Sequence, residues 1–452
     1  MKRIVFLIIA SLLVIGLVLP SMVAAAPIEI QVLIAAPATD VTGVHMWNAA
    51  NMANDAIGTM THGSDEYVFK LIKVDDDEIA APTSAGDKLA VALTDTGAKV
   101  VIGGFRTEAV KTMVPVACDN EALFFITGAA TYSLLALPDY NTAVNYSAGG
   151  KYLFRGTPFN DIFLINSAFQ MLAMVTAAVK VAGVATPKVA IFAEDLSWTV
   201  AQVAIASKLM PVLGATLGPV KMVSDTATSG DVIPALNAIK TAGCHVIFTL
   251  MSGPVGTVFS TQKGALDVPA IAVGINVPCQ AGDFWDTSLG NCAYEITMAT
   301  WAKGLSQTSK TAAFLTKFEA DYGVFPIYTA SSHDVLKGLA AAVEAVGFDP
   351  NNLDPVIQWY ENPANAQENT SGTAAYYPKW NYPTYAKWVP MTGDAYLPAL
   401  NFTQYDALYA TLGYNTPAGT NFTMPPFSTH DLVYGPGYLT AIAAQWQPVE
   451  AG

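Results

Sequence analysis

From Ile28 onward, short apolar runs alternate with longer stretches whose apolar residues recur at three- and four-residue spacing. The first kind reads as buried strands and the second as helices. The pattern predicts strands over 28–35, 67–74, 100–103 and 123–126, separated by helices over 47–57, 84–94 and 107–118. Tyr152-Leu153-Phe154-Arg155 then opens a second series, with helices over 161–181, 198–213 and 231–241 and strands over 189–193, 245–250 and 270–273. A strand around 294–300 and helices over 311–322 and 332–346 follow. Such alternation implies parallel sheets with right-handed crossovers. Two series joined by an extended crossover imply an α/β chain of two doubly wound lobes rather than one enlarged sheet.

Beyond Asp354 the pattern changes. Residues 355–452 hold eleven of the nineteen tyrosines and four of the eight tryptophans, but only Lys379 and Lys387 as basic residues. The stretch is too aromatic for disorder and too poorly periodic for long helices. It is expected to form irregular structure packed on a lobe; a ring surface for carbohydrate is the alternative.

The amino end changes the picture of where the chain works. Met1-Lys2-Arg3, an apolar run to Leu19, Pro20 and Val23-Ala24-Ala25-Ala26 are the parts of a secretory leader, with cleavage expected after Ala25. The alternative is a retained anchor, because the run is near the lower limit for a membrane span. Removing Lys2 and Arg3 takes the formal charge from −14 to −16. So acidic a surface repels phosphate backbones, which argues against a nucleic-acid partner and suits a soluble extracellular, periplasmic or cell-surface protein. An oxidising compartment would let Cys279 and Cys292, which bracket a loop-like stretch, form a disulfide. Cys118 and Cys244 read as buried thiols, and no Cys/His spacing suits zinc. Sequons at Asn145, Asn369, Asn401 and Asn421 are candidate glycosylation sites.

Catalytic chemistry finds little support. No nucleophile elbow, phosphate-cradling loop or metal-binding His-Glu-x-x-His helix occurs, so neither an enzyme nor a cofactor or metal is expected. Asp75-Asp76-Asp77 reads as a solvated loop after a strand, with Thr83 or Ser84 capping the next helix.

Several segments, in order, are similar to one family. They are Phe69-Lys70-Leu71-Ile72-Lys73-Val74-Asp75-Asp76, Val100-Val101-Ile102-Gly103, Phe125-Ile126-Thr127-Gly128-Ala129-Ala130-Thr131 and Tyr152-Leu153-Phe154-Arg155-Gly156-Thr157-Pro158. Through them the chain resembles type I periplasmic solute-binding proteins, in particular the leucine/isoleucine/valine-binding group of ABC transporters. The resemblance implies a Venus-flytrap of two Rossmann-like lobes joined by a hinge, with lobe 1 from 28–155 and 294–350 and lobe 2 from 156–293 and 351–452. It further implies a small polar or anionic ligand, amino-acid-like or a carboxylate, captured between the lobes by hinge closure, and an ABC transporter permease as partner. Membrane association would then come only through a partner or a retained amino-terminal segment. A ligand-sensing or structural surface protein on the same fold is the alternative.

The resemblance also implies the site. Phe105, Arg106, Thr107, Ala129, Ala130 and Thr131 of lobe 1 fall where the family holds the ligand's carboxylate. Trp198 and Ser252 of lobe 2 fall where it places aromatic cover, and Tyr328 lies on the hinge side. Asn276 stands where amino-acid binders carry a carboxylate for the ligand ammonium. An amide there implies either that Glu194 or Asp195 substitutes or that the ligand lacks a free α-amino group. Arg106 suits a carboxylate by bidentate contact, or else is a residue of the cleft rim.

Overall fold

Short apolar runs become the inner strands of two sheets. In the computed structural model, residues 26–131, 134–135, 150–374, 442–445 and 447 are described. The leader, the sequons at Asn145, Asn401 and Asn421 and most of the aromatic-rich stretch lie outside the described residues. The first sheet runs in the order β2 (Met60–His62), β3 (Asp65–Asp75), β1 (Ile28–Ala36), β4 (Val100–Gly103), β5 (Leu123–Ile126) and β6 (Leu153–Arg155). β2 and β3 are an antiparallel hairpin, and the other pairings are parallel.

β4 and β5 are buried along their whole length, as befits strands covered on both faces. On one face Ile30, Val32 and Ile34 pack with Met46 and Ala50 of α1 (Val41–Ile57). On the other, Leu33 and Ala35 meet α2 (Ala85–Thr96) and α3 (Thr107–Asp119). The period of two along β1 therefore serves two helical layers. α1 begins earlier than its periodicity predicts, because the Asp40 carboxylate accepts the Thr42 N–H at 2.9 Å. Gly43 permits this start, since a Cβ there would come within 2.0 Å of the Pro37 carbonyl oxygen. α2 lacks the expected side-chain cap: the Ser84 hydroxyl donates to Ala81 O, and Thr112 of α3 accepts the Gly86 N–H instead.

The second sheet runs β14 (Ile442–Gln445), β11 (Ile296–Ala299), β10 (Ile271–Asn276), β9 (Val246–Met251), β7 (Lys188–Glu194) and β8 (Thr216–Val223). All its pairings are parallel except that of β14 with β11. α4 (Asp161–Val181), α5 (Ser197–Leu209), α6 (Ser229–Thr241), α7 (Val255–Ala265) and the single turn α8 (Phe284–Thr287) belong to this lobe. The chain then returns to the first lobe through α9 (Thr311–Tyr322), α10 (Ser332–Val346) and α11 (Asp354–Glu361). A two-stranded hairpin, β12 (Gln367–Glu368) with β13 (Thr373–Ala374), follows. Two segments change lobes relative to the sequence expectation. Residues 296–299, expected in lobe 1, pair with β10 in the second sheet. Residues 354–361, expected in lobe 2, bury Val356, Ile357 and Tyr360 against Phe125 and Phe154 of the first. Apolar contact decided both, and sequence position alone could not.

The expected Cys279–Cys292 disulfide is not formed. Both side chains are buried with Phe284 in one small cluster, but as thiols. Burial pushes the Cys292 thiol up to about 11, which suppresses the thiolate that disulfide exchange requires. Of the Asn369 sequon, Asn369 is half-buried and Ser371 is buried.

Candidate functional site

The carboxyl ends of both sets of parallel strands face a common cleft, the place where open α/β sheets offer loops and helix starts to a ligand. The loop from β4 to α3 contributes Phe105, Arg106 and Thr107, and the segment after β5 contributes Ala129, Ala130 and Thr131. Across from them stand Trp198 in the first turn of α5, Ser252 after β9, and Ile275 and Val277 at the end of β10. Tyr328 closes the hinge side, with its hydroxyl donating to Gly128 O at 2.9 Å. Together these line a cavity of about 560 Å³ that opens to solvent.

Local order in the first lobe comes from a buried arginine. Arg155, at the end of β6, is fully buried and donates to Ala129 O at 2.8 Å and Thr131 O at 3.1 Å. Those carbonyls are thus pinned toward the protein interior. The Thr107 and Thr131 hydroxyls bond each other at 2.6 Å at the cavity wall. Thr107 is the first residue of α3, so its N–H has no acceptor within the helix.

Nine of the ten residues expected at the ligand line this cavity. Asn276 does not. Side chains alternate along a strand, and Ile275 and Val277 face the cavity, so Asn276 points to the opposite side. There its Nδ2 donates to Glu295 Oε1 at 2.6 Å and lies 3.3 Å from both Gly256 O and Ser260 Oγ. The amide at this position therefore carries no information about the ligand.

Arg106 and Glu194 were expected near the ligand from the sequence, but Asp225 and Glu108 were not. Arg106 is buried and its Nη1 pairs with Asp225 Oδ2 at 2.5 Å, from the loop after β8 in the other lobe. Its Nε and Nη2 are buried without a hydrogen-bond partner among the described residues. Glu108, in the first turn of α3, accepts the Ser197 N–H at 3.0 Å and the Ser197 hydroxyl at 2.6 Å on Oε1. Its Oε2 is buried and unpartnered among the described residues, and so is Trp198 Nε1. Glu194 is fully buried, accepting from the Ser252 hydroxyl at 2.7 Å and from the Gly253 N–H; burial holds its carboxyl above the usual range. Asp195, its neighbour, is exposed and does not line the cavity.

The aspartate loop is solvated only in part, with Asp75 exposed and Asp77 half-buried. Asp76 is buried and Glu78 wholly so. The Glu78 carboxylate accepts the backbone N–H groups of Phe105 and Arg106, fixing the start of α3 from below. Burial, with Asp76 beside it, holds Glu78 well above the carboxylate range, and burial lifts Asp76 to about 7. No group of metal-ligating side chains occurs among the described residues. No helix among them is long and apolar enough to cross a membrane.

Comparison with known proteins gives three findings. Residues 35–358 match the family described as "Periplasmic binding protein". No curated protein matches the sequence. Among solved structures, an R. palustris ABC-transporter solute-binding protein in complex with benzoate superposes at TM-score 0.62 with 16% identity, covering 77% of this chain and 89% of its own. The branched-chain amino acid transporter substrate-binding protein LivJ of Streptococcus pneumoniae, in complex with isoleucine, gives 0.62 at 14% identity, covering 78% and 93%. A leucine-binding protein, LivK, of Thermotoga maritima gives 0.59 at 16% identity, covering 76% and 91%.

Proposed function

Because the chain belongs to the periplasmic binding protein family, we propose that it captures a small carboxylate between its lobes for an ABC transporter. The ligand has an apolar body and at least one hydrogen-bond donor, as an amino acid or a hydroxycarboxylate does. One observation carries this reading. Among the described residues, three residues that line the cavity carry buried polar atoms without partners: the donors Arg106 Nε and Nη2 and Trp198 Nε1, and the acceptor Glu108 Oε2. Leaving such groups desolvated and unpaired costs about 1–3 kcal/mol each, so a ligand that satisfies both kinds gains where water is excluded. The Thr107 and Thr131 hydroxyls add to the acceptor-binding side, and Phe159, Leu164, Ile275 and Val277 supply an apolar wall. Benzoate and isoleucine, bound by two proteins of similar fold, each carry such a carboxylate on an apolar body.

With Asn276 outside the cavity, its amide does not count against a ligand with a free α-amino group. Glu108 Oε2 instead favours a ligand with a donor. Isothermal titration of the protein with leucine, 2-hydroxy-4-methylpentanoate and 4-methylpentanoate tests this. Donor-bearing members should bind more tightly than 4-methylpentanoate, and a preference for the compound without a donor would overturn the reading.

A further inference from the structure

A second cavity of about 570 Å³, open to solvent, lies in the first lobe, and no described residue lines both it and the cleft. α10 supplies Asp334, the end of α11 supplies Trp359 and Tyr360, and the segment 362–374 with its β12–β13 hairpin closes the far side. A hairpin of two residue pairs is marginal by itself. Here its turn is fastened to the lobe. Asp334 Oδ2 accepts the Thr370 N–H at 3.1 Å and the Thr370 hydroxyl at 2.7 Å. The Thr370 carbonyl accepts the Thr311 hydroxyl at 2.6 Å and Trp301 Nε1 at 3.3 Å, and the Asn369 carbonyl accepts the Thr308 hydroxyl at 2.7 Å. The protein's own bonds hold this wall, so little ordering cost is left for binding.

Its chemistry differs from that of the cleft. Trp359 and Tyr360 are early rings of the aromatic-rich stretch that begins after Asp354. Tyr360 packs on Phe125 and Phe154, and the Trp359 ring stands nearly perpendicular to it at 5.1 Å, half-buried at the cavity. Asn365, Gln367 and Asn369 bring amides. Asn365 Nδ2 donates to Trp359 O at 2.9 Å and Gln367 Nε2 to Asn365 O at 3.1 Å, which orients both amides and leaves their oxygens to accept. Ser331, also in the lining, has its hydroxyl buried without a hydrogen-bond partner among the described residues. Of the described lining residues Asp334 alone is charged, so an anion would meet a like charge and no cation. A ring face, clustered amides and a carboxylate suit a ligand that has an apolar ring face and many hydroxyls.

We infer that this cavity binds a neutral hexose, with one sugar face on Trp359 and hydroxyls on Asn365, Gln367, Asn369 and Asp334. The site goes beyond the carboxylate proposed for the cleft, and each stands without the other.

The test titrates the full chain calorimetrically with glucose and galactose, and with glucuronate and galacturonate as their anionic counterparts. At least one neutral hexose should bind, and more tightly than its uronate. Trp359→Ala should weaken that hexose about tenfold. Gln367→Ala, which removes a half-buried side chain outside the apolar core, should weaken it about fivefold with the thermal midpoint unchanged. Should Trp359→Ala fail to fold, Gln367→Ala carries the test. Hydrogen exchange should slow on binding in 331–338 and 365–372 and stay the same in 105–108 and 129–131. Lack of binding by both neutral hexoses, preference for a uronate, or a hexose affinity unmoved by Gln367→Ala would each overturn the site. So would slowing in 105–108 and 129–131 instead, which would put the sugar in the cleft. Failure of every carboxylate to bind would count against the proposed function and leave the hexose result standing.

Discussion

Asn276→Asp installs an acid at the position where related amino-acid binders are expected to keep one, and the structure says what it will do. Asn276 Nδ2 donates to Glu295 Oε1 at 2.6 Å and approaches Gly256 O and Ser260 Oγ at 3.3 Å, and all four residues are buried. An aspartate has no donor to offer when ionised. The bond to a carboxylate contributes about 1.5–3 kcal/mol and each neutral one about 0.5–1.5 kcal/mol, so the loss comes to roughly 3–5 kcal/mol once the longer contacts are discounted. Two carboxyl groups so close would share a proton, each raising the other. Glu295 is already held above the carboxylate range by burial, so the cost should shrink toward acid pH, where the pair keeps its proton, and grow as pH rises. Urea unfolding at several pH values measures this, and titration calorimetry at matched folded fraction measures ligand binding. Stability should fall and affinity should hold. Unchanged stability together with tighter binding of an amine-bearing ligand would show that residue 276 reaches the cleft, refuting the strand-alternation argument.

Trp198→Phe keeps a ring over the cavity but removes the unpartnered Nε1 donor; ligand affinity should drop about fivefold to thirtyfold, roughly 1–2 kcal/mol, by calorimetry, with the thermal midpoint little changed. Stability should decline between about pH 6 and 8, because Asp76 titrates at about 7 when folded and near 3.8 otherwise, so the folded state binds more protons there. His45, lowered by burial to about 4, works in the opposite sense but only below its ordinary value of 6.5. Asp76→Asn should flatten the decline in chemical denaturation, and an unaltered slope would reassign it. Burial pushes the Cys118 and Cys292 thiols up to about 12 and 11, so iodoacetamide at pH 8 should leave both unmodified in the folded protein and label both on unfolding. Protection of Cys292 that persists after unfolding and vanishes on reduction would restore the disulfide.

Strands such as β4 and β5 were legible to the residue, because a short apolar run closed by Gly103-Gly104 or by Thr127-Gly128 has one plausible buried reading. α4 was equally plain from its long apolar periodicity. β8 was not: it lies at a sheet edge, contains Gly218 and Pro219, and is mostly half-exposed or exposed, so its hydrophobic signal is weak. α7 hides behind Gly256, Thr257 and Val258, which are poor helix formers that tertiary packing overrides. Within the site, residues that follow a strand in the same loop could be placed from spacing. Asn276 was misplaced because a one-residue step along a strand reverses the face. Asp225 and Glu108 carried no local signal at all, since each gains its meaning from a partner about 90 or more residues away in the other lobe.

The placement of β14 has a bearing on how the chain comes into being. The 142 residues from Thr300 to Ala441 separate β11 from the strand that covers its edge. At about 5–20 residues per second, synthesis leaves that edge bare for roughly 7–30 s after β11 is made. The first lobe is no further ahead, for its sheet is complete by Arg155 while α10 and α11, which cover one face, arrive only with residues 332–361. Neither half can therefore finish early and wait for the other. A nascent chain of this design stays incompletely folded until Ile442–Gln445 has been made, with an open strand edge exposed to aggregation on the way.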